Sequence, residues 1–256
     1  MFPLRDENPT FLTPWVTWGL AAACALVWLF VQGAGTEPAL SSSICRYGLV
    51  PARVLGTAAE GQVVPLGPEW GCRLGAPGAF HTLVTSMFLH GSWFHLIGNL
   101  WFLWVFGNNV EDAMGHGRFL VFYLLCGLAA AALQMAMTGN PLVPMVGASG
   151  AIGGVMGAYV VLYPRVAVHL LVFLGFYATT VVVPAAFMLG YWFLLQLLGS
   201  LASLGHEGGG VAFWAHLGGF LAGVVLVFPF HRPELLARHP YYGLSRPSPR
   251  RFGRMR

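Results

Sequence analysis

The sequence predicts an all-α polytopic membrane protein with six transmembrane helices. Three observations carry this. The 256 residues are 57% hydrophobic and only 9% charged, where a soluble domain runs near a quarter charged. The apolar residues come in long runs separated by Gly- and Pro-rich stretches. At roughly 20 residues per span, the chain holds about six crossings and a few loops. A disordered chain would need low hydrophobicity and high net charge, which is the opposite composition.

Met1 to Pro14 is short and polar and reads as a cytoplasmic N-terminus. Trp15 to Gln32 is the first apolar run, with Trp15 and Trp18 at its front where interfacial aromatics sit. A cleaved signal peptide fits less well: the leader has Asp6 and Glu7 against Arg5, and no A-x-A site follows. Residues 33–80 form a long external loop rich in Gly, Pro and Ser. Its Cys45 and Cys72 either pair, if the loop faces an oxidising compartment, or stay free. The second run extends from about His81 to Phe106, carries His90, His95 and Asn99, and is closed by Glu111 and Asp112. Arg118 to Thr138 is the third run. A Pro-containing turn leads to a short, very Gly-rich fourth helix over Gly147 to Tyr163, ended by Pro164. Cys24 and Cys126 fall inside apolar runs as small core residues.

Val166 to Leu204 is apolar for 39 residues, about 58 Å as one helix and too long for a single crossing. Pro184 divides it. Val211 to Phe230 is the last run, and residues 231–256 form a tail holding seven of the 13 Arg. Lys and Arg accumulate on the cytoplasmic side of a membrane, so the tail is first a topology signal. No nucleic-acid motif accompanies it, and nucleic acid is not an expected partner. One crossing from about Pro184 to Leu204, with 166–183 at the cytoplasmic interface, keeps the tail cytoplasmic. It also puts Ser149 and His216 at similar depth. Two crossings would break both. The domain reading is therefore an N-terminus at 1–14, a membrane domain at 15–230 and a cytoplasmic tail at 231–256.

The chemistry starts at Gly147-Ala148-Ser149-Gly150. Taken alone, Ser149 is a helix cap or a small contact residue. It misses the G-x-S-x-G elbow because position 151 is Ala. His216, inside the last run, changes the weighing, because an ionisable residue in a span is a functional-site hypothesis by default. Gly150 with Gly154, Gly153 with Gly157, and Gly219 with Gly223 repeat at four-residue steps, a pattern that lets helices approach closely. The Ser helix and the His helix are thus expected to touch, giving a nucleophile with its base. His95 and Asn99 are four apart on one helix face and offer two donors for an oxyanion; a polar pair glueing two helices is the other reading. His90 lies off that face and reads as structural or at the mouth of the loop. No Asp or Glu lies inside an apolar run, so a Ser-His dyad is available and a Ser-His-Asp triad is not.

The stretches His90-Gly-Ser-Trp-Phe-His95-Leu-Ile-Gly-Asn99, Glu111-Asp-Ala-Met-Gly115, Gly147-Ala-Ser149-Gly150 and Ala215-His216-Leu-Gly-Gly219-Phe-Leu-Ala-Gly223 together resemble the rhomboid intramembrane serine proteases. They come in the family's order over about residues 80–230. The resemblance implies a rhomboid-like bundle that cleaves transmembrane protein substrates in the lipid bilayer with no cofactor or metal. It implies Ser149 as nucleophile and His216 as general base and later acid. Asn99, His95 and the Ser149 backbone N–H would hold the oxyanion, with Gly147 as the small residue two before the nucleophile. It also implies a substrate gate at Trp192 and Gln196, positions that aromatic packing explains equally well. The best-studied bacterial members carry a Tyr four residues after the Ser, packed on the His; here that position is Gly153. They also carry a Trp-Arg pair where His81-Thr82 stands here. The expected location is a bacterial inner membrane with both termini cytoplasmic. The rivals are a non-catalytic client-binding protein of the same fold, although such proteins usually lack the Ser or the His, and a haem or metal protein using some of the nine His. The metalloprotease signature HExxH is absent.

Overall fold

Pro184 is where the long apolar region changes geometry. On its N-terminal side the β-branched run Thr179-Thr180-Val181-Val182-Val183 favours a pleated strand; on its C-terminal side Ala, Leu and Met favour a helix. In a computed structural model, which describes residues 2–66, 70–175, 177–203 and 212–239, the chain runs in the following order. Strand β1 (Phe2–Asp6) precedes α1 (Trp15–Leu26), which continues as a wider π turn over Val27–Val31. Two short helices, α2 (Ala39–Tyr47) and α3 (Pro51–Val54), and a small hairpin of β2 (Val63–Pro65) and β3 (Gly71–Arg73) fill the long loop. Then come α4 (Thr82–Thr85), α5 (Trp93–Met114), α6 (His116–Met137) and α7 (Ser149–Leu162). A second hairpin of β4 (Ala167–Leu174) and β5 (Tyr177–Pro184) leads into α8 (Ala185–Ala202), α9 (Phe213–Phe230) and α10 (Pro233–Leu236).

The molecule is mostly helical. Among the described residues three helices, α6, α8 and α9, are long and apolar enough to cross a membrane. Trp15–Val31 and Ser149–Leu162 are apolar but shorter. The 39-residue region resolves into one hairpin and one helix that meet at Pro184.

The all-α expectation is corrected by the two hairpins. β1 pairs antiparallel with β4, and β4 with β5, so the N-terminus completes a three-stranded sheet. Hydropathy alone does not separate a buried strand from a buried helix, and the run over 166–183 has no charged residue to break it. The strand signal is the alternation: Val168 and Leu170 are buried while Phe173 faces outward. The sheet is tied to the helices by β1. The Phe2 ring packs on Trp101, the Trp101 indole N–H donates to the Pro3 carbonyl, and the Tyr159 hydroxyl donates to Asp6.

The core is built around α7, which packs against α9 and α6 at backbone distance. A Cβ added at Gly219 or Gly223 would overlap the carbonyl oxygen of Gly150 or Gly154. Only glycine permits that separation, so the small-residue steps set how close the Ser helix and the His helix come. At the far end of α5 the buried carboxylate of Glu111 accepts the backbone N–H groups of Val16 (2.9 Å) and Thr17 (2.8 Å) and the Thr17 hydroxyl (2.7 Å). Asp112 accepts from the N–H groups of Phe11 (2.7 Å) and Leu12 (2.8 Å). These bonds fasten the start of α1, whose first turn leaves N–H groups without helical partners. In the long loop Cys45 and Cys72 are joined in a disulfide, while Cys24 and Cys126 are free and buried. The Leu204–Gly210 loop and the tail beyond His239, with most of its Arg, lie outside the described residues.

Candidate active site

Ser149 is the first residue of α7, and the turn before it is what positions it. Gly147 has φ +129°, which favours glycine, and its N–H donates to the Ser86 carbonyl (2.9 Å). A Cβ there would stand 2.6 Å from His95 Nε2, so the His95 ring occupies the space a side chain at 147 would need. Ser149 Oγ lies 2.8 Å from His216 Nε2, across the glycine-lined contact between α7 and α9. Gly153, one turn after Ser149, faces the His216 carbonyl, which a Cβ would approach to 3.0 Å. The absent side chain at 153 is therefore what lets the His216 backbone come down on α7.

His216 and the turn before it are held from α8 and α6. Its Nδ1 lies 2.7 Å from Gln196 Oε1 on α8. The Trp192 ring stacks at a tilt, 6.0 Å between centroids, and itself packs on Phe220. From α6, Gln134 Oε1 accepts the N–H of Ala215 (3.1 Å), fixing the first turn of α9 just before His216.

His95 and Asn99 approach from α5. The Ser92 hydroxyl caps that helix by accepting the His95 N–H (3.1 Å), so the first turn is well determined where His95 projects. His95 Nδ1 accepts from the Gly91 N–H at 3.4 Å, which leaves Nε2 as the ring donor, facing Gly147. The Asn99 Nδ2 is buried and meets no partner among the described residues. His95, Asn99, Ser149, His216 and Trp192 line one cavity of about 620 Å³, with Phe102 and Met156 among its apolar lining. The arrangement sets a hydroxyl, an imidazole nitrogen and the side chains of His95 and Asn99 around one cavity, a set of groups that acyl transfer could use.

His90 is buried, its N–H and carbonyl both bound by the Gln32 side chain (2.8 and 2.7 Å), and its ring meets His95 edge-on at 5.1 Å. Two contributors escape a reading of motifs. Gln134 sits in an apolar run that hydropathy passes over; a lone amide at membrane depth was the available signal. Gln196 reads as a gate residue but contacts His216 itself. No cluster of three or more His, Cys, Asp or Glu suited to a metal occurs among the described residues.

The family model of the Rhomboid domain matches residues 77–233, well over half of the chain. This protein belongs to the rhomboid family. The rhomboid match encloses every site residue above, from His95 to His216, and leaves β1, α1 and most of the disulfide-bearing loop outside. Curated relatives agree. The chain is 34% identical over 156 residues to "Rhomboid protease GluP" of Bacillus subtilis, covering 60% of this chain and 27% of that one. It is 29% identical over 154 residues to "Rhomboid protein 1, mitochondrial" of Saccharomyces cerevisiae, covering 56% and 40%. It is 32% identical over 154 residues to "Rhomboid-like protein 11, chloroplastic" of Arabidopsis thaliana, covering 59% and 52%. This rhomboid chain thus spans about half or less of the length of these relatives.

Proposed function

We propose that this rhomboid protein is an intramembrane serine endopeptidase that cuts membrane proteins in or near a transmembrane helix. The observation that carries the reading is the 2.8 Å approach of Ser149 Oγ to His216 Nε2 at the wall of the cavity. In this reading His216 takes the hydroxyl proton as Ser149 attacks the scissile carbonyl, and returns it to the departing amide nitrogen. The oxyanion receives hydrogen bonds from Asn99 Nδ2, His95 Nε2–H and the Ser149 N–H at the helix start, where the backbone dipole adds to them. Gly147 keeps the approach to those donors free of a side chain. Water entering through the cavity then releases the acyl-enzyme. No metal or cofactor takes part. Trp192 on α8 lines the cavity, and in this reading it and Gln196 one turn on mark the side by which a substrate helix enters.

The same reading gives the topology. Six spans are formed by Trp15–Val31, α5, α6, the short Gly-rich α7, α8 and α9, with 1–14 and 231–256 cytoplasmic and the 33–80 loop outside. The sheet of β1, β4 and β5 then lies at the cytoplasmic interface. The membrane of this reading is a bacterial plasma membrane, as for a protein like the Bacillus subtilis relative, with the Arg-rich tail on its cytoplasmic side.

The test is cleavage of a transmembrane reporter by the protein reconstituted in lipid, beside Ser149→Ala and His216→Ala. Cleavage by the wild type alone, with both variants lower by about 10³-fold or more, is the expected result. Loss in His216→Ala with retention in Ser149→Ala would replace the dyad with a His-dependent metal reaction. A wild type inert on several reporters, but still capturing them, would replace the enzyme with a client-binding protein.

A further inference from the structure

The usual third member of a serine hydrolase site is a carboxylate that fixes the histidine, and none among the described residues pairs with His216. The position from which some relatives pack a tyrosine on the histidine is Gly153, whose missing side chain admits the His216 backbone instead. Something else must decide which imidazole nitrogen carries the proton, since a neutral imidazole has one donor and one acceptor and only the acceptor can take the Ser149 proton.

The geometry points to Gln196 as the positioning residue of His216: its side-chain carbonyl, 2.7 Å away, accepts the Nδ1–H and so turns the Nε2 lone pair toward Ser149. The orientation of the amide agrees with this role. Gln196 Nε2 faces the Trp192 carbonyl at 3.5 Å, one turn back on α8, which leaves Oε1 for His216. That carbonyl keeps its acceptor role through the reaction. When Ser149 attacks, its proton moves to Nε2 and the ring becomes an imidazolium with two N–H groups. Nδ1–H stays on Gln196, and Nε2–H goes to the leaving amide nitrogen, restoring the starting tautomer. A neutral amide supplies orientation and a dipole but no counter-charge, and this separates Gln196 from a triad carboxylate in what it does to pH dependence. The groups that face His216 from the packed helices are His95 from α5, Ser149 from α7, Gln134 from α6 and Trp192 from α8. The His95 ring is the titratable one among these described groups, and none of them is an anion.

This inference rests on the Ser149–His216 reading, and its test is built to fail separately. The reconstituted wild type, Gln196→Leu and Gln196→Glu are compared for kcat, KM and pH–rate profile on one transmembrane reporter, with Ser149→Ala as the blank. Leu keeps the approximate shape and removes the acceptor: kcat is expected to fall 30- to 1000-fold with KM within threefold, because wrong tautomers are populated. Glu restores an acceptor and adds a charge: kcat is expected to recover to within about tenfold, with the acidic limb displaced upward by a unit or more, since an adjacent anion favours the imidazolium. Nitrogen-15 spectra of labelled histidine should show the Nδ1–H form of His216 in the wild type and a mixture in Gln196→Leu. A Gln196→Leu protein with wild-type kcat, or a Glu variant as impaired as Leu with no displaced limb, overturns the positioning role. Activity surviving in Ser149→Ala overturns the reading beneath it instead.

Discussion

Two histidines in this protein, His239 buried and His216 half-buried, are each held by a side-chain acceptor, at opposite ends of the bundle, and only one of them faces a nucleophile. His239 has what a triad would ask for on paper, with its Nε2 3.0 Å from Asp112. Yet its ring is wedged between Phe11 and Tyr163, each 5.1 Å away, and Nδ1 has no partner among the described residues. No carboxylate among the described residues pairs with His216, but it opens on a cavity with Ser149 on one nitrogen and Gln196 on the other. A histidine–carboxylate pair packed between two rings is a fastening: Asp112 gathers Phe11, Leu12 and His239 onto the end of α5. Local chemistry at the imidazole does not make a site; access and the third partner do.

The sharpest break in that comparison is activity against stability. His216→Ala should take reporter cleavage to background while leaving the melting temperature within a few degrees. His239→Ala should keep cleavage within a few-fold and lower the melting temperature, which thermal unfolding in detergent would read. Loss of cleavage in a folded His239→Ala protein would mean that the two ends are coupled.

The next largest effect concerns how the two helices meet. Gly219→Ala places a methyl on the Gly150 carbonyl and is expected to destabilise by about 3 kcal/mol or more, since neither backbone has room to yield. Gly190→Ala on α8, where nothing lies within 4 Å of the added atom, should be neutral or stabilising by up to about 1 kcal/mol. Similar melting temperatures for the two would show that the α7–α9 contact does not govern the fold.

A smaller effect sharpens the fastening end. Asp112→Asn keeps the shape but loses a charged acceptor for two backbone N–H groups, and about 1–3 kcal/mol of stability should go with it. Measured beside it, Asn99→Ala should leave the melting temperature nearly unchanged while cleavage falls about 10- to 100-fold or more.

The smallest effect is a pH dependence at the N-terminal strand. Burial pushes the Asp6 carboxyl up to about 6, against the opposing hydrogen bond from Tyr159. A carboxyl whose folded pKa is raised favours the folded state while it is protonated. Its contribution is full below about pH 4 and is lost as pH rises through 6. Asp6→Asn should flatten that slope between pH 4 and 7 in unfolding curves, and an unchanged slope would assign it to another group.

The sequence by itself determined the membrane character and the order of the apolar runs, and it singled out most of the residues that the structure gathers at the candidate site. Charge is nearly absent from the runs, and a polar residue there needs a reason, so Ser149, His216, His95 and Asn99 stand out without a structure. The glycine steps also announced the α7–α9 contact, because small residues at that spacing have one common use. Tertiary structure alone decided the rest. An uncharged run is compatible with a helix or a strand, and only pairing with Phe2–Asp6 made 167–184 a sheet. Gln134 and Gln196 look alike in sequence, one amide in each of two apolar helices. Which of them reaches the imidazole and which the backbone beside it depends on how α6 and α8 rotate against α9, and side-chain packing sets that rotation. The same holds for His239 and His216. Each is a histidine near an acceptor, and the cavity beside one of them exists only once five helices have closed around it.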